Sequence, residues 1–253
     1  MSDRTDDIVS PITDGVLPLR STADEARSAG RVPYVKPTPE NSVLLLIDHQ
    51  IGLMGSTRDF ASLATLKANV VGLGQIAKAA GIPVMLSTSN AQWQNGDTLP
   101  ELKNLFPDEP IYRRTGIINC YEDPTFRAAF EELMTSTGRT HVIIAGVTIG
   151  TCTAMPTLAM LHDGYQVLPV VDACGAWNPY EADAAIARMT RAGAEPVTVF
   201  SLGCELQADW KLPIGEAMFG PFTDQLPEYS FVIQNFWNNA NQHVVADPFG
   251  NVK

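Results

Sequence analysis

Three residue types in this sequence could together carry out nucleophilic chemistry, and each follows a segment that is typical of a buried strand. Asp48 ends the apolar run "SVLLLID", Arg113 and Arg114 end "PIYRR", and Cys152 follows "HVIIAGV". The carboxyl ends of the strands meet along one edge of an open parallel sheet, which is where ligands bind. We therefore expect an acid, a basic residue and a thiol to lie close together at that edge.

Cys152 is the candidate nucleophile. It lies in the small-residue stretch "AGVTIGTCTAM", directly before the helical pattern "TLAMLHDG". The thiolate is the reactive form of cysteine, and the free N–H groups and dipole at a helix start lower a thiol pKa. The same N–H groups could bind the oxyanion of an attacked carbonyl. The context of Cys120, Cys174 and Cys204 is less favourable, although Cys152 could also be a small buried hydrophobe.

The acid and the basic pair each have a functional and a structural interpretation. Asp48 ends a run of five apolar residues, and a partly desolvated carboxylate is suited to proton transfer. Arg113 and Arg114 point to opposite faces of a strand, so only one of them can face the site. That arginine could hold a carboxylate or stabilise developing negative charge. Alternatively, Asp48 caps the following turn, or the arginine pairs with a structural acid such as Asp48.

Strand and helix patterns alternate with short connections, which predicts an α/β fold with a mostly parallel, six-stranded sheet and helices on both faces. The apolar, β-branched runs predict strands at residues 42–48, 82–88, 110–114, 140–147, 165–173 and 194–202. The 3.6-residue periods and the capping residues predict helices at residues 59–81, 123–138, 151–164 and 179–193.

The domain prediction has three parts. Residues 1–40 are polar and lack sustained periodicity, and we interpret them as an N-terminal extension or arm. Residues 41–204 form the predicted domain. Residues 205–253 are rich in Trp, Phe, Asn and Pro, and we expect loops or a short helix there. An exposed aromatic tail is unusual for a monomer, so this segment is the predicted oligomer contact.

Composition and missing motifs exclude several classes of function. The net charge of −11 argues against a nucleic-acid partner. No G-x-G-x-x-G or Walker sequence follows the first strand, and the four histidines lack ligand spacing, so we expect neither a cofactor nor a metal. No apolar run approaches the ~18 residues of a membrane helix. The acidic N-terminus is unlike a secretory signal, and the cytoplasm is the expected location.

Several segments together resemble one known family. They are "LLLIDHQIGL", "PELKNLFPDEPIYRRTGIIN", "VIIAGVTIGTC", "VVDACG" and "CELQADW". Over residues 42 to about 210 the chain resembles the isochorismatase-like cysteine hydrolases, and its YcaC-related branch in particular. The resemblance implies a Rossmann-like three-layer fold with a six-stranded sheet. It also implies a homo-oligomer, as a dimer, tetramer or octamer.

The resemblance also implies a catalytic triad of Asp, Lys and Cys. Asp48 and Cys152 match the first and third members, and the lysine role falls on Arg114, which departs from the wider family. The family places a non-proline cis peptide before the nucleophile, here at Val147–Thr148. That bond would turn backbone N–H groups of the turn that includes Thr151 and Cys152 toward an oxyanion. Two further departures are Ile149, where threonine is common, and Gly150, which replaces a larger and often acidic residue.

The resulting hypothesis is a metal-independent cysteine hydrolase that cleaves a C–N bond of a small amide-like substrate through a thioester. Two alternatives remain open. One is an isochorismatase-type enol-ether hydrolase, which does not need the thiol. The other is a non-catalytic or redox-sensing oligomer. Trp93 and Trp177 lie in loops after predicted strands and could line an apolar substrate pocket, although loop tryptophans also serve as interface packing.

Overall fold

A computed structural model describes residues 20–30, 34–60 and 62–240. The chain divides into two compact units, with the boundary along the sequence between Val35 and Lys36. In the first unit, helix α1 (Ala23–Ser28) begins with a capping box between Thr22 and Glu25. The rest of the predicted arm, at residues 1–19 and 31–33, lies outside the described residues.

The second unit is built on a parallel sheet with helices on both faces, so the predicted α/β fold is confirmed. In the described part of the chain the sheet has five strands in the order β3-β2-β1-β4-β5, and every neighbouring pair is parallel. The strands are β1 (Ser42–Ile47), β2 (Val84–Ser89), β3 (Ile111–Arg114), β4 (His141–Gly146) and β5 (Gln166–Pro169).

Helices connect the strands and extend beyond the last of them. A π-helical turn at Ile149–Thr153 lies between β4 and its helix, and short 3-10 turns occupy Cys120–Glu122 and Val171–Ala173. The α-helices of this unit are α2 (Ile51–Ser56), α3 (Leu63–Ala80), α4 (Pro100–Leu105), α5 (Pro124–Thr137), α6 (Ala154–His162), α7 (Pro179–Ala192), α8 (Val199–Gln207), α9 (Pro213–Gln225) and α10 (Pro227–Ala240).

The central position of β1 in the sheet explains why residues 43–47 are all apolar. All six of its residues are buried, because helices cover both faces of the sheet. Leu44 and Leu46 belong to one core cluster, which also contains residues of α3, α8 and α9. Val43 and Ile47 belong to a second cluster on the opposite face, which contains the aromatic residues of α5. The alternation of β1 therefore supplies both cores at once.

The predicted sixth strand at residues 194–202 is wrong. The segment runs beside β5 for only a few residues: the N–H of Glu195 donates to the carbonyl of Val167, and Val197 forms a single bridge to Val170. Helix α8 begins two residues after Val197. Thr198 forms a capping box with Ser201 at the start of this helix, and the Asp172 carboxylate accepts a hydrogen bond from the N–H of Val199 at 2.8 Å. These caps stabilise the helix start, and they outweigh the β-propensity of "VTVF".

The segment predicted as loops or a short helix after residue 204 instead forms α9 and α10. Helix α9 packs along α3, and its residues Met218 and Phe222 are fully buried in the first core cluster. Much of this segment is therefore core of the domain. Helix α10 leaves Phe231, Val232 and Trp237 exposed. Residues 241–253 of the predicted tail lie outside the described residues.

If α9 is part of the core, Phe222→Ala removes a large buried ring and leaves a cavity against α3 and α8. We expect the free energy of unfolding to fall by about 3–5 kcal/mol, measured by urea denaturation. Leu63→Ala is the control, since this side chain lies on α3 but is 47% exposed, and it should cost about 0.5 kcal/mol or less. Similar small losses in both variants would contradict the assignment of α9 to the core.

Candidate active site

The strand order creates one crevice at the carboxyl edge of the sheet. The chain turns from β1 to β2 on one side and returns to β4 on the other, so β1 and β4 are neighbours whose connections diverge. Asp48 directly follows β1, and Cys152 lies in the π-helical turn after β4. Asp48 has φ +58°, a left-handed conformation that costs energy for a residue with a side chain. The backbone thus changes direction where the predicted acid lies.

Arg114 reaches Asp48 from β3, across the intervening strand β2. Its Nη2 atom lies 2.5 Å from each carboxylate oxygen of Asp48, and both side chains are 1% exposed or less. Ser87 of β2 lies between the two and donates a hydrogen bond to Oδ1 of Asp48 at 3.2 Å. The pair therefore joins three strands at the floor of the crevice.

Arg114 also binds the loop that follows its own strand. Its Nη1 atom donates to the carbonyl oxygen of Ile117 at 2.5 Å and to that of Ile118 at 2.7 Å. Arg113 points the other way, is 52% exposed, and pairs with Asp97 on the surface. The structure thus selects Arg114 from the basic pair. A lysine could pair with Asp48, but it lacks the planar fork that binds a carboxylate and two carbonyls together.

Cys152 lies in the turn Ile149–Thr153, directly after a cis peptide bond between Val147 and Thr148. The backbone N–H groups of Thr151 and Cys152 both donate to the carbonyl of Thr148, at 3.2 and 2.9 Å. The Thr151 hydroxyl donates to the Cys152 sulfur at 3.6 Å and contacts the Thr148 hydroxyl. An oxyanion role for these N–H groups stays a prediction, and it requires a substrate oxygen to share or displace the Thr148 carbonyl.

The pKa of the Cys152 thiol shifts in the direction opposite to the lowering expected at a helix start. Burial raises the pKa of this thiol well above its usual range, and the negative charge of Asp48 and a hydrogen bond to that carboxylate raise it further. The Thr151 hydroxyl and the Arg114 charge act in the opposite direction. The expectation of a low thiol pKa is therefore wrong for Cys152. Desolvation has the largest effect on this pKa, because Cys152 is only 7% exposed.

The other cysteines have different environments. Cys174 is held by the N–H of Gly146, the Thr153 hydroxyl and the carbonyl of Val170, so its sulfur is a packing and hydrogen-bonding group. Burial raises its pKa to about 12. Cys120 is fully buried, and the same Asp48 and Arg114 charges that act on Cys152 act on it too. Cys204 is partly exposed on α8.

Two residues that position the site, Ser87 and Gln50, were not predicted from the sequence. Ser87 contacts Asp48, and Gln50 holds the end of β2 through the N–H and carbonyl of Ser89 and through the carbonyl of Gly96. The sequence does contain a signal for Ser87, because "LSTS" places hydroxyl residues inside a strand whose other positions are apolar. His49 is also buried. Its Nε2 atom donates to the Ala173 carbonyl at 3.0 Å, and burial lowers its pKa to about 4.

The two candidate substrate-binding tryptophans lie on the surface. Trp93 is 67% exposed in the loop after β2, and Trp177 is 58% exposed with its Nε1 donating to Ser56 at 3.0 Å. Their contact with substrate stays a prediction. Among the described residues, no group of three or more His, Cys, Asp or Glu side chains could hold a metal ion. Nor does that part of the chain contain a helix long and apolar enough to cross a bilayer.

Comparison with known proteins identifies the family of this chain. The isochorismatase domain matches residues 42–200, which is more than half of the chain. The chain belongs to the isochorismatase family. Within that family it is similar to "Probable hydrolase YcaC" of Escherichia coli K12, with 36% identity over 204 residues that cover 81% of this chain and 95% of the relative.

Two solved YcaC structures share the isochorismatase fold of this chain. The Pseudomonas aeruginosa protein, solved with hexane-2,5-diol and covalent acrylamide, is 41% identical, has a TM-score of 0.75, and is matched over 80% of this chain and 98% of its own. The Escherichia coli protein, described as an octameric hydrolase of unknown specificity, is 36% identical with a TM-score of 0.76, over 81% and 98%. The family and its YcaC-related branch, predicted from the motifs, are confirmed.

Replacing Arg114 by methionine would leave the Asp48 charge buried without its partner. We expect Arg114→Met to lower the free energy of unfolding by about 3–5 kcal/mol, and urea denaturation checks this value. Arg113→Met is the matched control on the adjacent residue. Because Arg113 and Asp97 are both exposed, that change should cost at most about 1 kcal/mol. Equal losses in the two variants would mean that the buried pair is not what holds this edge together.

Proposed function

We propose that this isochorismatase-family protein is a metal-independent cysteine hydrolase that cleaves the C–N bond of a small amide. The observation that carries the proposal is the convergence of Asp48, Arg114 and Cys152, all buried, beyond the carboxyl ends of β1, β3 and β4. Asp48 acts electrostatically on the Cys152 thiol, so this carboxylate is the candidate general base. The arginine on the other side of that carboxylate keeps a positive charge beside both groups.

The proton can move within the site without changing its net charge. In the resting site Asp48 is the anion, Arg114 the cation and Cys152 a neutral thiol. Transfer of the proton to Asp48 leaves a thiolate in place of the carboxylate, and Arg114 stabilises this new anion. A buried site disfavours an unpaired charge, so an internal transfer avoids what free ionisation of the thiol would require. Cys152 therefore rests as a neutral thiol with a raised pKa. In this proposal, proton transfer to Asp48 activates the thiol once a substrate is bound.

The proposed reaction has two steps. The Cys152 thiolate attacks the amide carbonyl, and the tetrahedral oxyanion collapses as the C–N bond breaks. The proton held by Asp48 passes to the leaving nitrogen, so an amine departs and a thioester remains on the sulfur. Asp48, again a carboxylate, then takes a proton from water as the hydroxide adds to the thioester. Collapse of that intermediate releases the carboxylic acid, and the proton returns to the sulfur.

Support for a thiol nucleophile comes from a relative. The Pseudomonas aeruginosa YcaC structure contains covalent acrylamide, and the alkene carbon of acrylamide is an electrophile that thiolates attack. An enol-ether hydrolase, the first alternative, would not need Cys152 beside Asp48. A redox sensor, the second, is favoured by one observation: Cys120 is buried near the same Asp48 and Arg114 charges.

The test combines hydrolysis with alkylation. Against a panel of small primary and secondary amides, we expect Cys152→Ser to lower kcat/KM by at least about 10³-fold and Asp48→Asn by about 10²–10⁴-fold. Asp48→Asn should nevertheless shift iodoacetamide labelling of Cys152 to lower pH. The variant removes the charge that raises the thiol pKa and leaves Arg114 beside the sulfur.

Cys204→Ser serves as the control, because it removes a partly exposed cysteine outside the crevice and should change neither assay. An acyl adduct on Cys152, trapped at low pH and located by mass spectrometry, separates the amidase from the redox sensor. Amide hydrolysis that survives Cys152→Ser would overturn the thiol mechanism, and enol-ether hydrolysis that survives the same change would favour the first alternative. Peroxide-dependent linkage of Cys152 to Cys120 without any acyl adduct would favour the sensor.

We also propose that the protein is a homo-oligomer with α10 at a subunit contact. The Escherichia coli relative is octameric. In this chain α10 exposes Phe231 and Trp237, 70% and 54% accessible, although apolar side chains of that size are usually covered. Burying them between subunits would remove this apolar surface from water. The cytoplasmic location remains a prediction.

If α10 is a subunit contact, a Phe231→Ser/Trp237→Ser double variant should lower the assembled mass measured by light scattering. Two large apolar side chains would each lose about 1.5–3 kcal/mol of burial. Tyr180→Ser is the matched control, since this residue is 85% exposed on α7, outside the C-terminal segment. A double variant that keeps the native mass while the control loses it would move the contact to the surface of α7.

A further inference from the structure

A second cavity, of about 420 Å³, opens between α3, α8 and the start of α10. Its walls belong to the first core cluster or lie beside it, whereas Cys152 belongs to the cluster on the other face of the sheet. The lining residues are Thr65, Asn69, Asp172, Phe200, Leu226, Pro227, Glu228, Tyr229 and Val232. The hydrolase chemistry proposed above uses none of them.

The polar part of the lining offers oxygen acceptors. Asp172 is only partly exposed, and one of its oxygens accepts from the backbone N–H of Val199. Asn69 donates through Nδ2 to the carbonyl of Asp172 at 2.8 Å, so its Oδ1 atom remains as an acceptor. Thr65 adds a hydroxyl, which also contacts the Ser62 hydroxyl at 3.0 Å, and Glu228 adds a second, exposed carboxylate. A ligand that donates several hydrogen bonds and carries a positive charge matches this set.

No cation of the protein satisfies these carboxylates within the described residues. The lining contains no Lys or Arg, and Asp172 forms no ion pair in that part of the chain. Burial raises the pKa of Asp172, and the hydrogen bond from Val199 only partly offsets this effect. A carboxylate that is partly desolvated without a cationic partner gains most from a cation supplied by a ligand.

The remaining walls are apolar and aromatic. The Phe200 ring is 41% exposed and lies 5.4 Å from Tyr229, measured between ring centroids. Tyr229 is stacked on Trp210 with an interplanar angle of 6°, which holds its ring in place. Leu226 and Val232 complete the apolar side. Aromatic faces attract a cation and also pack against an apolar group.

The geometry points to a binding site for a primary ammonium ion that carries an apolar body. The ammonium group would bind the oxygens of Asp172, Asn69 and Thr65, and the apolar body would pack on Phe200 and Tyr229. The three N–H donors of a primary ammonium match three acceptors, which a quaternary ammonium could not do. The proposal is independent of the hydrolase function, because it rests on residues of the opposite face of the sheet.

The test uses 2-phenylethylamine as the probe, with the full-length protein and isothermal titration calorimetry at neutral pH. We expect saturable binding, and at least about tenfold weaker binding of 2-phenylethanol, which has the same body without the charge. The anion 3-phenylpropionate should not bind. Asp172→Asn should weaken binding of the amine by at least about tenfold, and its amide oxygen can still accept from the Val199 N–H.

Asp224→Asn is the matched control, because it removes an exposed carboxylate of α9 that does not line the cavity; it should leave the affinity unchanged. Thermal unfolding of each variant establishes that the fold is retained. Equal affinities for the amine and the alcohol would overturn the proposal, since the cavity would then be a simple apolar gap. Unchanged amine binding in Asp172→Asn would overturn it as well, as would no saturation up to ~10 mM amine.

Discussion

The structure of the carboxyl edge of the sheet depends on one buried ion pair, between Asp48 and Arg114. A carboxylate with no exposure would be strongly destabilising alone, and the guanidinium that compensates for it comes from two strands away. That guanidinium also binds the two carbonyls of the following loop. The end of β1, the end of β3 and the loop after β3 therefore take up their positions together. Cys152 approaches this assembly from β4, on the other side of β1.

The same burial decides how the thiol can react. Desolvation and the neighbouring carboxylate keep Cys152 protonated, whereas the arginine favours its anion. A proton shared between sulfur and carboxylate resolves this conflict, because either arrangement leaves one negative charge beside Arg114. In the proposed reaction this arrangement favours internal proton transfer over a thiolate that persists between turnovers. A persistent thiolate would be open to unselective alkylation and oxidation.

The two faces of the sheet carry two different proposed sites. The face that contains α5 and Cys152 carries the proposed hydrolase chemistry. The opposite face, between α3, α8 and α10, carries an aromatic cavity lined by the Asp172 carboxylate. Both derive from the same feature, since each strand that ends at the carboxyl edge brings polar residues there. Asp48 directly follows β1 and Asp172 lies three residues beyond β5; within the described residues Asp48 has a cationic partner and Asp172 has none.

The parallel α/β architecture could be predicted from the sequence, because apolar strand runs that alternate with capped helices are typical of it. The residues that end the strands could be predicted too, and with them the location of Asp48 and Cys152 at one edge. Which arginine pairs with Asp48 follows from the folded structure, because Arg113 and Arg114 differ just in the face of the strand they occupy. The folded structure also decided that caps on Val199 replace a sixth strand, and that burial outweighs the helix start at Cys152. In each case a local preference and contacts from distant parts of the chain act in opposite directions. The sequence of a single segment does not show which of the two effects is larger.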